Sequence, residues 1–427
     1  LATHLEEALK LNPNDHECAI RLAGIYMNTD LAEKAAAVLE PPARAAAAEG
    51  KTELEGRLRM MAARAASRCF DHQTTRRHLV RVLELRPEDV EARRLLASTL
   101  LALGEADLAG ELLYSLSGPD GSLTAAEAPM LRELGRSQSA KGAHAAALDS
   151  LARAWALDHD LSEDVLRELA DTASAAGNRE AMMSWLKRLV NNEARSPRRF
   201  TDLIRLGDAA KADGDGASAL QWYRMAADED YSKKVALHKA LEVSLESGEN
   251  TRAVGLLEEL IEQEQDDLRK SDYHLAAAML YKDNLGNDPA AIDHLILAVS
   301  RNPANSQAAE VLDGRLIDLG MFEELADNLQ LRARHFRMSG DEKALLETLS
   351  SLGDIFESRL HNAARAAEAY EQILVVSPGD VTAMHRLAFC QARMPGAESQ
   401  ALDSLRKVIK ADPTSVDSYR ALRDLAL

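Results

Sequence analysis

Two short motifs in this chain have residue types that could do chemistry. Gly50-Lys51-Thr52 has the ending of a phosphate-binding loop, in which a lysine meets phosphate oxygens and a hydroxyl meets magnesium. That loop also needs a glycine at position 45, where Ala45 stands, and a preceding strand, where the spacing reads as helix. Asp213-Gly214-Asp215-Gly216 has the opening of a calcium loop, but Ala217 fills the third acidic position and the downstream glutamate is missing. Both read as plain turns between helices. The twelve histidines show no His-x-x-x-His pairing of the zinc type, and no serine or cysteine nucleophile motif is present. Cys18, Cys69 and Cys390 are odd in number and scattered, which points away from a disulfide framework or a zinc site. Trp155, Trp185 and Trp222 fall where second helices are expected, so they read as core rather than as a ligand cage. The expectation is a chain with no catalytic residue, no cofactor and no metal, and therefore no enzyme.

Bulk properties narrow the partners. A net charge of −18 over 427 residues disfavours nucleic acid, because phosphate neutralisation needs a basic footprint. No apolar run approaches the roughly 20 residues of a membrane span, so no membrane insertion is expected. No signal-peptide pattern opens the sequence. With few cysteines, the cytoplasm is the expected compartment and the periplasm the alternative.

Those side chains must be positioned by something, and the chain is organised by a period of 34 to 36 residues. Its clearest copy places Leu131, Leu134, Gly135, Gly142, Ala147, Leu151 and Ala154 at helical spacing, and Leu203, Leu206, Gly207, Gly214, Ala219, Tyr223 and Ala226 repeat it. A period of this length with two amphipathic helices per unit is the signature of a helical solenoid. Prolines at Pro13, Pro87, Pro303, Pro378 and Pro413 mark breaks between units. Gly104, Gly142, Gly177, Gly214, Gly248 and Gly320 mark the turn inside a unit, where a helix C-cap favours positive φ. Small or apolar residues follow about five positions later: Ala109, Ala147, Met182, Ala219, Ala253 and Leu325.

The resulting expectation is one continuous all-α solenoid over residues 1–427. Residues 1–14 read as the second helix of a preceding repeat, 15–411 as about eleven helix pairs, and 412–427 as the first helix of a further repeat. The partial repeats at both ends are read as a fragment of a longer protein. Pro41-Pro42 should kink or end the helix that contains them. Ser117 to Ser122 reads as a loop on turn chemistry.

These positions resemble the tetratricopeptide repeat. Leu134-Gly135, Leu206-Gly207 and Leu352-Gly353 match its Leu-Gly pair, Tyr26, Tyr281 and Phe356 its first aromatic, and Tyr223 and Tyr370 its second. The resemblance implies a right-handed superhelix of about eleven helix-turn-helix repeats, with the first helix of each repeat lining a concave groove. Carried over by the Leu-Gly register, the groove positions hold Arg57, Arg64, Arg68, Arg94, Arg132, Arg136 and Arg167. One position is arginine in three consecutive repeats, at Arg94, Arg132 and Arg167. A guanidinium fork suits carboxylates, so an acidic peptide is one expected ligand. The asparagines typical of the family's terminal-carboxylate clamp are absent. The alternative is that the arginines pair with acids on neighbouring helices, Arg167 with Asp164 and Asp171 for example. Glu258, Glu259, Glu262, Glu264, Asp266 and Asp267 cluster within the acidic stretch 242–288 and read as a solvated helix face, with a docking surface for a basic partner as the alternative.

The function these features suggest is a non-catalytic scaffold or adaptor that holds a partner protein or acidic peptide in a groove. A docking arm of a larger enzyme and a self-assembling structural solenoid are the alternatives. Self-association would run through the uncapped apolar ends of the array.

Overall fold

The computed structural model describes residues 1–29, 31–116, 123–159, 163–229 and 231–426. Among the described residues there are 24 α-helices, one short 3-10 turn (Ala125–Glu127) and no strand. They fall into two compact units, residues 1–209 and 210–427. The first unit contains α1 (Ala2–Leu11), α2 (His16–Met27), α3 (Ala32–Ala48), α4 (Thr52–Arg68), α5 (His72–Leu85) and α6 (Val90–Ala102). It continues with α7 (Ala106–Ser115), α8 (Ala128–Ala140), α9 (His144–Leu157), α10 (Glu163–Ala175), α11 (Arg179–Asn192) and most of α12 (Pro197–Ala212). The second unit holds the end of α12, then α13 (Gly216–Ala227), α14 (Lys233–Glu246), α15 (Asn250–Gln263), α16 (Asp267–Asp283), α17 (Asp288–Arg301) and α18 (Ser306–Asp318). It closes with α19 (Phe322–Ser339), α20 (Glu342–Ser358), α21 (Ala363–Val376), α22 (Val381–Ala392), α23 (Glu398–Ala411) and α24 (Val416–Ala426). From α2 onward, even-numbered helices are the first of a pair and odd-numbered ones the second. The loop expected at Ser117 to Ser122 lies outside the described residues.

The turns inside the pairs follow from the glycines. Gly104, Gly142, Gly177, Gly214, Gly248 and Gly320 all have φ between 70° and 80°. In each turn the next residue's N–H reaches back to a helix carbonyl, as from Glu105 to Leu100 (2.9 Å) and from Asp215 to Ala210 (2.9 Å). Both bonds close the last helical turn and satisfy a carbonyl that would otherwise lack a partner. Acidic and amide caps then start the next helix. Asp215 accepts from the Ser218 N–H at 3.0 Å, and Asn178 from that of Ala181 at 3.0 Å. The calcium-like Asp213-Gly214-Asp215-Gly216 run is thus a turn and an N-cap. Gly50 is likewise a left-handed turn between α3 and α4, and Lys51 pairs with Glu49 at 2.5 Å.

The core is a series of local layers rather than one centre. Leu22, Leu39 and Leu58 bring α2, α3 and α4 together over buried Ala19, Ala35, Ala43 and Ala62. Alanines at these contacts let helices approach closely, which accounts for a chain with few aromatics. The Leu-Gly pairs show the same economy. A Cβ on Gly135 would stand 2.6 Å from Leu151 Cγ, and one on Gly353 2.6 Å from Tyr370 Cε1. Trp155 and Trp185 are half-buried and pack against the Leu151, Val165 and Leu169 cluster. Trp222 is half-buried.

Pro41-Pro42 do not end the helix that contains them. Helix α3 runs through both prolines to Ala48. Pro42, Ala43 and Ala46 are buried on the same face as Leu39, and this packing outweighs the two backbone donors that the prolines remove.

Candidate functional site

The groove arginines of the first unit sit on successive first helices, and most are engaged one repeat ahead. Arg64 of α4 grips Glu91 of α6 through Nε (2.9 Å) and Nη2 (2.5 Å). Arg94 of α6 pairs with Glu127 at 2.5 Å, and Glu127 closes a capping box with Thr124 just before α8. Arg132 and Arg136 of α8 both hold Glu168 of α10, at 2.8 and 2.5 Å. Arg167 of α10 holds Asp202 of α12 and Glu193, each at 2.9 Å. The result is a ladder in which a cation on one first helix is answered by an anion about one repeat further on.

Helix geometry explains the register. Residues four apart lie on one face, so Arg132 and Arg136 converge on a single carboxylate. Burial tends to raise the pKa of Glu168, but hydrogen bonds from Arg132 and Arg136 outweigh it and hold the carboxyl below its ordinary value. The same contact with Glu168 raises the Arg136 guanidinium above its ordinary value.

Two candidate residues stand apart from the ladder. Arg68, at the end of α4, donates to the Met27 carbonyl at 2.8 Å and so closes the end of α2. Arg57, near the start of α4, is exposed. The sequence also suggested Asp171 for Arg167. Instead Asp171 receives Arg205 at 2.8 Å, while Asp164 lies 4.0 Å from Arg167. The ladder acids Glu91, Glu127, Glu168 and Asp202 were not singled out from the sequence. Their only signal is a place on or just before the next first helix, 27 to 36 residues after each arginine.

Exposure divides the rungs. The side chains of Arg132 and Arg167 are each only 19% exposed, whereas those of Arg64, Arg94 and Arg136 are 50%, 40% and 49% exposed. The inner arginines are held as packing elements. The outer three present guanidinium edges to solvent while still anchored.

The acidic stretch of the second unit departs from a purely solvated face. Glu264 is buried and accepts from the backbone N–H groups of Gln265 (2.8 Å) and Asp266 (3.2 Å) and from Lys234 (3.0 Å). These bonds, the Gln265 N–H first, lower its pKa to about 2. Glu259 pairs with Arg224, Asp267 with Arg301, and Asp266 caps α16. Among the described residues, no group of three histidine, cysteine or acidic side chains comes together to hold a metal. No helix of the described residues is long and apolar enough to cross a membrane.

No family model matches the chain, and no curated protein matches it. Among solved structures it is similar to one of Naa15/Naa10 bound to HypK-THB, with 13% identity and a TM-score of 0.42. That similarity covers 94% of this chain and 64% of the other, so this chain spans under two thirds of that one's length. A tetratricopeptide repeat protein from Parabacteroides merdae is similar over 62% of this chain and 99% of its own (15% identity, TM-score 0.28). The APC/C hetero-tetramer Cut9-Hcn1 is similar over 99% and 92% (14% identity, TM-score 0.24). These similarities are low and carry nothing about function. The paired helices, the glycine turns and the close Leu-Gly contacts give each unit a tetratricopeptide-like, all-helical repeat fold.

Proposed function

We propose that this chain is a non-catalytic scaffold that holds a partner protein through an acidic segment laid along the first helices α4 to α8. The observation that carries this reading is the row of half-exposed, anchored guanidiniums at Arg64, Arg94 and Arg136, with exposed Arg57 beside them on α4. A guanidinium has five N–H donors in a fixed fork. Arg64 spends Nε and Nη2 on Glu91, which leaves its Nη1 edge for an incoming carboxylate. A ligand can therefore bind without breaking the ladder. Pre-anchored side chains also lose less rotamer freedom on binding. Arg132 and Arg167 support the surface from beneath, and Arg68 fixes α4 against α2. Three free thiols fit a reducing compartment, and the cytoplasm is the compartment we assign.

The test is capture of partners by the full chain beside a variant carrying Arg57→Glu, Arg64→Gln and Arg136→Gln. Arg132 and Arg167 are left intact so that the array stays folded. Partners of acidic character that lose at least about tenfold in affinity, roughly 1.4 kcal/mol, support the assignment. Equal capture by both proteins removes the first-helix face from consideration.

A further inference from the structure

The second unit has a basic cleft that the first-helix ladder does not explain. It runs between the two second helices α19 and α21, with α20 beneath, and encloses about 240 Å³. Leu352 and Phe356 of α20 form a closed apolar floor. Arg334 and Arg337 of α19 rise on one side and Arg365 and Gln372 of α21 on the other. Glu368 is the one carboxylate in the wall. In a chain of net charge −18, this is a local excess of positive charge.

The state of each side chain matters. Arg365 lies over the Phe356 ring, 4.3 Å from its centre, and donates to Glu323 at 3.2 Å. It is already oriented by the floor. Arg337 hydrogen-bonds the Gln372 side-chain carbonyl, which leaves the Gln372 amide as a free donor for a peptide carbonyl. Arg334 is exposed and lines the cleft wall. Two of the three guanidiniums therefore have no acidic partner among the described residues.

The shape selects the kind of ligand. Wall residues 365, 368 and 372 span seven positions of α21, so the cleft is about 10 Å long at 1.5 Å per residue. That is a strip for about three residues of extended chain at roughly 3.4 Å each, and longer than a single compact anion needs. Two largely exposed apolar side chains flank one end. Met338 lies four residues after Arg334 and Val375 three after Gln372, so helical spacing puts each on the cleft's stripe.

We propose that this cleft is a second docking site, which takes an extended acidic segment of a partner protein with an apolar residue beside its carboxylates. The carboxylates meet Arg334 and Arg337, the Gln372 amide meets the ligand backbone, and the apolar residue covers Met338 and Val375. The low-dielectric floor strengthens each charged contact.

The test uses a fluorescein-labelled peptide of alternating glutamate and leucine, and its glutamine-leucine analogue. Binding is read by anisotropy at low salt on the full chain carrying Arg57→Glu, Arg64→Gln, Arg94→Gln and Arg136→Gln, so that the exposed arginines of the first-helix site are removed and the second unit is probed. Adding R334E and R337E to that background should weaken binding at least tenfold, and R334Q with R337Q should weaken it less, with unchanged helicity in both. The glutamine analogue should bind at least tenfold more weakly. No binding in the starting background, equal binding after R334E and R337E, or equal binding of both peptides overturns the site. Competition by inorganic phosphate at equal strength to the peptide also overturns it. Comparison of the native chain with the starting background scores the first-helix site separately.

Discussion

Arg132 and Glu168, thirty-six residues apart on successive first helices, meet through two hydrogen bonds of 3.0 and 2.8 Å. Arg136 adds a second guanidinium to the same carboxylate. The rung joins the first helices α8 and α10 of neighbouring repeats directly.

Removing the anion should expose what the rung contributes. Glu168→Gln leaves two cations facing each other with a weak acceptor, and should cost about 2 kcal/mol, as for a lost charge-assisted hydrogen bond. The pKa of Glu168 is lower in the folded protein than its ordinary 4.5. Its contribution is therefore complete above the unfolded value and lost as pH falls through the folded one. Thermal melts of native chain and variant should differ most at pH 7 and converge well below pH 4.5. A constant gap across that range would mean that the contact acts through packing and not charge.

The Leu-Gly glycines and other helical glycines should respond in opposite senses. Gly135→Ala and Gly353→Ala drive a methyl to 2.6 Å from Leu151 Cγ and Tyr370 Cε1, and should each cost about 1–3 kcal/mol by overpacking. Gly314 in α18 has open space around it, so Gly314→Ala should stabilise by up to about 1 kcal/mol through helix propensity. Denaturant midpoints would show both signs. A loss at Gly314 would require a contact that the packing does not contain.

Phe70 takes the place of a turn glycine. It sits between α4 and α5 with φ 57° and is 80% exposed. The Asp71 N–H bonds the Ala66 carbonyl across it at 3.1 Å, as in the glycine turns. A bulky residue in the left-handed region costs about 1 kcal/mol or more, and an exposed ring recovers little of it. Phe70→Gly should therefore stabilise the chain by about 1 kcal/mol, read from its melting temperature. Gly104→Ala, at φ 77°, should move stability the other way.

That turn also shows where the sequence is silent. Six glycines announce their turns because only one residue type adopts that φ freely, whereas nothing in Cys69-Phe70-Asp71 distinguishes it from continuing helix. The arginine row was legible because it repeats with the period. Its partners were not, because acids are dense throughout and only the packing of repeats selects Glu168 over Asp164 or Asp171. The cleft between α19 and α21 was hidden for a related reason. Arg334 and Arg365 lie on helices that meet across α20, and no single helix pattern contains both. The prolines at 41 and 42 carry a strong local signal, and the burial of Ala43 and Ala46 overrides it.

His274 and His294 offer a pH-dependent measurement in the second unit. Their Nδ1 atoms stand 3.0 Å apart, between α16 and α17, with Tyr281 packed at 5.5 Å from the His294 ring and Glu258 at 3.9 Å from its Nε2. A 3.0 Å contact between two ring nitrogens needs one donor and one acceptor, so one ring must stay neutral. Burial, and next the charge of His294, lower His274 from 6.5 to about 4. Burial lowers His294 as well, against the pull of Glu258. Between about pH 6.5 and 4 the unfolded chain binds more protons than the folded one, so stability must fall as pH drops through that window. For His274 alone the limit is about 3 kcal/mol at 1.36 kcal/mol per pKa unit. His274→Gln should be less stable than the native chain at pH 7.5, yet lose less between pH 7.5 and 5. Parallel losses in the two proteins would show that the acid sensitivity of this unit arises elsewhere.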